Sequence, residues 1–148
     1  MSSLQSLGQF AGLAPVIVRV VVGIVMFAHG LQKLWGPGPT GFGQGALAGL
    51  GVPLPVFFGY LVTFGELLGG LALIAGLLTR FLALALTVQL IGAILLVKIN
   101  VGLIGQEGAG AGAELDLALI AGLVTLALLG PGRPSLDHAF GLERPAAA

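Results

Sequence analysis

Polar positions are so sparse along this chain that its hydrophobic pattern consists of long runs. Four runs have the roughly 20-residue length that the hydrocarbon core of a bilayer demands. They predict transmembrane helices near Ala14 to Trp35, Leu54 to Leu78, Phe81 to Ile99 and Ala113 to Leu129, in one domain that occupies residues 1–148. Little more than Thr79 and Arg80 joins the second run to the third, so these two must form an antiparallel helical hairpin. The predicted fold class is all-α, an integral membrane antiparallel four-helix bundle. "GPGPTGFGQGALAGLGVPLP" lies between the first two runs. Its glycines and prolines forbid a continuous helix, while Phe42, Leu47 and Leu50 suit part of it to the interface. "VGLIGQEGAGAGA", between the third and fourth, reads as a glycine-rich loop.

Composition agrees, with 57% hydrophobic residues, 8% charged and a mean hydropathy of +1.09. Six basic and six acidic side chains cannot clothe a soluble exterior of this length. The 26 glycines far exceed the ordinary share of about 7%; in an apolar chain, small residues let helix backbones approach closely. With no cysteine, disulfides, thiolate catalysis and cysteine-ligated clusters are excluded. A formal net charge of zero argues against a nucleic-acid partner. "MSSLQSLGQF" lacks the basic start of a cleavable signal, so the first apolar run is expected to remain in the mature protein. Orientation follows from the basic residues, since positive loops stay in the cytoplasm. Arg80, Arg133 and Arg144 share a side with both termini, and Arg19 lies nearest it; Lys33 and Lys98 fall on the other, beside Glu107 and Glu114. Both termini are therefore expected inside.

Charges in lipid cost about 2.5 to 3.5 kcal/mol at a helix centre and should face the bundle interior. At about 100° per residue, Arg19, His29 and Lys33 fall within one arc of roughly 80° on the first helix. Gly59, Thr63, Glu66 and Gly70 share a stripe of about 60° on the second, which marks a contact face around the carboxylate. Gln89, Ala93 and Asn100 align on the third, with Lys98 on the opposite side, where it would snorkel to the headgroups. Glu114 and Asp116 are about 200° apart on the fourth, and Glu114, aligned with Ala118 and Thr125, is taken as the inward one. Threading then places Arg19 near the cytoplasmic face, Glu66 and Gln89 near mid-membrane, and His29, Lys33, Asn100 and Glu114 near the outer face, so the polar interior opens outward.

An Arg19–Glu66 ion pair that only fixes helix register stands beside a functional reading of the same residues. Arg80 reads as a topological anchor and Trp35 as an interfacial belt residue. His29 and His138 are expected at opposite ends, which argues against bis-histidine haem. A metal site from His29, Glu66 and Glu114 has little in its spacing to support it. "GPGRPSLDHAFGLERP" stops the last helix and then offers Ser135 as the N-cap of a short surface helix carrying Leu136, Phe140 and Leu142.

These positions resemble the DoxX family of small bacterial and archaeal membrane proteins. The likeness runs from Val18 to Asp137 and rests on "RVVVGIVMFAHGLQKL" (19–34), "GFGQGALAGLGVPLP" (41–55), "GELLGGLALIAGLLTR" (65–80), Glu114 and "GPGRPSLD" (130–137). The glycine-alanine loop at 108–113 and the alanine-rich tail depart from the pattern. The resemblance implies a four-helix bundle in the plasma membrane and a redox setting. Relatives of this kind include a subunit of a thiosulfate:quinone oxidoreductase and proteins linked to a sulfurtransferase and superoxide dismutase complex or to quinone stress. The positions it carries over are Arg19, His29, Lys33, Glu66, Arg80 and Glu114.

The leading functional expectation is an accessory oxidoreductase subunit, with partner redox enzymes and no redox centre of its own, that binds a quinone or small redox substrate. Glu66 and His29 would be catalytic: Glu66 would exchange protons with a quinone oxygen. Arg19, Lys33, Gln89, Asn100 and Glu114 would bind substrate, and His29 and Lys33 would hold a small anion such as thiosulfate. No metal is expected, and a homo-oligomer in the bilayer is. A small transporter or channel, and a scaffold that docks partner enzymes, remain as alternatives.

Overall fold

A computed structural model of the chain describes residues 6–105 and 112–143. Glu107, Arg144 and most of the glycine-alanine loop lie outside the described residues. Among the described residues every regular element is helical. A 3₁₀ segment, Ser6–Leu13, leads into α1 (Ala14–Trp35). The short α2 (Gly38–Phe42) continues through a π turn at Gly43–Leu47. Then come α3 (Pro55–Ala75), α4 (Thr79–Ala93) with a second π turn at Ile94–Lys98, α5 (Glu114–Leu129) and α6 (Leu136–Ala139).

The boundaries have local causes. Pro15 and Pro55 sit in the first turns of α1 and α3, where a missing N–H costs nothing. Gly76 ends α3 in the left-handed conformation (φ 70°), with its N–H donating to Leu73 O and that of Leu77 to Ala72 O. Leu78 also adopts a positive φ, 50°, a conformation costly for a leucine. It is held there because its N–H and that of Thr79 both donate to the carboxylate of Asp137, at 2.6 and 2.9 Å.

Three helical stretches are long and apolar enough to cross a membrane: Gly8–Trp35, Pro55–Ala75 and Thr79–Lys98. The 16 residues of α5 rise only about 24 Å, short of that length. Closest packing joins α1 to α3. A Cβ on Gly23 would come within 2.7 Å of Gly70 O, and one on Gly30 or Gly70 would enter the backbone of Leu67 or Phe27. That register runs antiparallel, as does that of α3 on α4, where Gly69 faces Leu86 and Gly65 faces Gln89. α5 packs on α4 and α1, closing a core that includes Val22, Met26, Leu73, Leu86, Leu123 and Leu126. Outward positions such as Ile17, Phe57, Phe81, Val88 and Leu128 are large, apolar and exposed, while Thr63 and Glu66 are buried. A lipid environment rewards that allocation.

The first connection is not one continuous helix, since the chain turns at 36–37 and at 50–54, but residues 38–49 between those breaks are helical throughout, more than the glycine content suggests. Pro39 stands in the first turn of α2, where it does no harm. The glycines do not break the helix because they are packed: Gly43 lies against the backbone of Pro55 and Val56, and Gly59 against Pro39 O.

Candidate functional site

Glu66 stands halfway along α3 and is 5% exposed. Its burial follows from its neighbours on the stripe: Gly59, Thr63 and Gly70 are buried too, and the small residues bring other backbones close. Both carboxylate oxygens are engaged. Lys33 Nζ, from the last turn of α1, donates to Oε2 at 2.5 Å, and Gln89 Nε2, from α4, donates to Oε1 at 2.9 Å. The ammonium also lies 3.5 Å from His29 O and 5.5 Å from the centre of the Phe42 ring. Three helices and the α2 segment thus converge on one carboxylate.

A second ion pair sits between α4 and α5, with Lys98 Nζ 2.5 Å from Asp116 Oδ2 and donating to Gly112 O at 3.0 Å. This corrects two expectations. Lys98 turns inward because the π turn at Ile94–Lys98 takes up about one extra residue, which rotates the end of the helix by roughly 100° and undoes the opposition to Gln89. On α5 the buried stripe is Asp116, Leu119, Leu123 and Leu126, so Glu114, phased with Ala118 and Thr125, is the exposed acid. Asn100 is exposed as well, because the helix has ended before it.

Arg19 is 4% exposed, yet it makes no pair with Glu66. Its guanidinium donates to Pro131 O at 3.0 Å and to Pro134 O, both in the segment that follows α5. The cause is depth: Arg19 lies two turns into α1 and meets the α3 end at Gly76, whereas Lys33 meets Glu66. The tail is accordingly not a free surface helix. Ser135 does cap α6, accepting from His138 N–H, but buried Asp137 ties the tail to the start of α4. Arg80 adds a further tie, donating to Glu143 Oε1 and to the carbonyls of Ala127 and Leu128. Asp137 was legible only as the last residue of the "GPGRPSLD" stretch, two places after the N-cap serine, and nothing in that stretch signalled its tie to α4.

Of the residues predicted to act together, the structure gathers Glu66, Lys33 and Gln89, with His29 beside them. Arg19, Asn100 and Glu114 stand apart. Among the described residues no three histidine, aspartate or glutamate side chains form a metal-sized cluster. Shallow, open depressions of about 590 and 430 Å³ lie at the opposite end, around Arg133 and His138.

The family model of DoxX matches residues 14–99, which include α1, Glu66 and Gln89. The chain belongs to the DoxX family. Among curated relatives, "Uncharacterized membrane protein Rv3486" of Mycobacterium tuberculosis (strain ATCC 25618 / H37Rv) is 36% identical over 130 residues, covering 83% of this chain and 78% of that one. "Putative oxidoreductase CatD" of Bacillus subtilis (strain 168) is 33% identical over 126 residues, covering 84% of this chain and 85% of that one. No solved structure matches. The DoxX match ends at Ile99, so the Lys98–Asp116 pair straddles its boundary.

Proposed function

We propose that this DoxX protein is an accessory subunit of a membrane oxidoreductase or oxidative-stress complex and binds a quinone or related small redox substrate at the Glu66 cluster. The observation that carries the reading is a carboxylate with both oxygens engaged, halfway along an apolar helix, where a purely structural site would favour apolar residues. The name of the Bacillus relative points to the same class of chemistry. Glu66 exchanges the proton at a substrate oxygen, and Gln89 and Lys33 fix its orientation. Lys33 has three N–H donors. One goes to Glu66 and a longer contact reaches His29 O, so a donor remains for an oxygen of the quinone or of a small anion such as thiosulfate. Access is by way of Lys33, whose side chain is 18% exposed against 6% for Glu66. Electrons come from or pass to a partner enzyme's cofactor. The working form is a four-span bundle in the plasma membrane with both termini cytoplasmic, assembled as a homo-oligomer.

Mass spectrometry of solvent extracts from purified wild type, Glu66→Gln, Gln89→Leu and His29→Ala tests the reading. Stoichiometric quinone in the wild type, lost in those variants that keep the wild-type helical signal and elution volume, is the expected result. Equal traces in all four would overturn it.

A further inference from the structure

Of the five lysine and arginine side chains among the described residues, four are held by partners: Arg19 by tail carbonyls, Lys33 by Glu66, Arg80 by Glu143 and carbonyls, and Lys98 by Gly112 O and its ion pair with Asp116. Arg133 is exposed and, among the described residues, has no acceptor. It lines both hollows at this end of the molecule, and so does His138. Ser135 Oγ accepts from His138 N–H and lies 2.7 Å from Nδ1 of the same residue. With Ser135 Oγ as the donor to Nδ1, the ring N–H is at Nε2 and is a second donor. The 430 Å³ hollow is also walled by Arg80, whose charge Glu143 balances, and by Ala11, Pro15 and Leu129. Leu129, 62% exposed at the end of α5, continues the apolar outer surface.

We propose that Arg133 and His138 form a headgroup site for an anionic phospholipid. The phosphate diester would be bound by the guanidinium and the imidazole N–H, and the acyl chains would follow Leu129 along the outside of α5. The charge favours an anion, because the Arg80–Glu143 pair cancels and leaves Arg133 unopposed. The apolar wall beside it favours a lipid over a small soluble anion. The site lies far from Glu66 and does not depend on what binds there.

Native mass spectrometry of the full-length protein, released from detergent with equal phosphatidylglycerol and phosphatidylcholine, tests this. The expected result is preferential retention of phosphatidylglycerol. It should fall about fivefold in Arg133→Gln, the worth of one cation at a membrane surface, recover in Arg133→Lys, and fall less in His138→Ala. Inorganic phosphate in excess should not strip the lipid. Undiminished phosphatidylglycerol in Arg133→Gln would overturn the proposal. So would full displacement by inorganic phosphate, which would make this a soluble-anion site. Arg133 is exposed, so its variants are expected to melt with the wild type, and the comparison reads binding alone.

Discussion

The Lys33–Glu66 pair is where single side chains matter most. With the carboxylate side chain 6% exposed and the ammonium 18%, neither charge is well hydrated once the other is removed. Removing one partner of a buried pair costs about 3 to 5 kcal/mol, whereas removing both can be close to neutral. Lys33→Met and Glu66→Gln should therefore each destabilise the protein by about 3 kcal/mol, the lower end because Lys33 is partly exposed and Gln89 still holds Glu66. The double variant should recover most of the loss. Denaturant unfolding in detergent, read as a double-mutant cycle, measures this; losses that simply add would mean the two charges are independent. Glu66 could be read from the sequence because it is a lone acid on a stripe of small residues. Its partner could not, since Arg19 and Lys33 lie on the same arc of α1 and only the register of α1 on α3 chooses between them. Nor could the acceptors of Arg19, which are backbone carbonyls that no side-chain pattern records.

At the scale of helices, close approach is set by a few glycines. Gly30 has no room for a methyl group against Leu67, so Gly30→Ala must push α1 from α3, at about 1 to 3 kcal/mol. Gly92 on α4 has nothing within 4 Å of the same added atom, and Gly92→Ala should be neutral or stabilising by up to about 1 kcal/mol. Thermal melting of the two variants side by side checks this, and equal shifts would contradict the packing. Asp137 acts at a helix end. It satisfies two N–H groups at the start of α4 and holds Leu78 in its costly conformation. Asp137→Ala should cost about 1 to 2 kcal/mol, as the loss of a helix cap does, and Asp137→Asn less. Limited proteolysis should then release the C-terminal segment first; a tail that stays protected would argue against this tie. The positions of the long helices were legible because 20-residue apolar runs have one reading in a membrane. The helical state of 38–49 and the inward turn at Lys98 were not, because they depend on a neighbouring backbone and on a π turn, and neither alters the hydrophobic pattern.

Across the whole molecule, contacts between helices bear on how many times the chain crosses the membrane. α5 is too short by length alone, yet it is fastened to α4 at both ends. Lys98, in the last turn of the Thr79–Lys98 stretch, pairs with Asp116 at the start of α5, and Arg80, at the beginning of that stretch, grips the carbonyls of Ala127 and Leu128 at its end. Any depth that α4 traverses, α5 traverses in the opposite direction. On the proposed four-span reading sixteen residues would suffice, because Lys98 pairs with Asp116 at one end and Arg80 is held by the α5 carbonyls at the other, inside the protein. That should let the bilayer meet a shorter apolar surface, and mismatch of a few Å costs only fractions of a kcal/mol per Å. On the proposed four-span reading both termini would share one side, and Arg80 and Arg133 would make that side the cytoplasm. Fluorescent-protein and alkaline-phosphatase fusions at each end should therefore give fluorescence without phosphatase activity at both. Phosphatase activity at the C-terminus alone would mean three crossings, and would require the contacts of Arg80 with the end of α5 to be broken in the membrane.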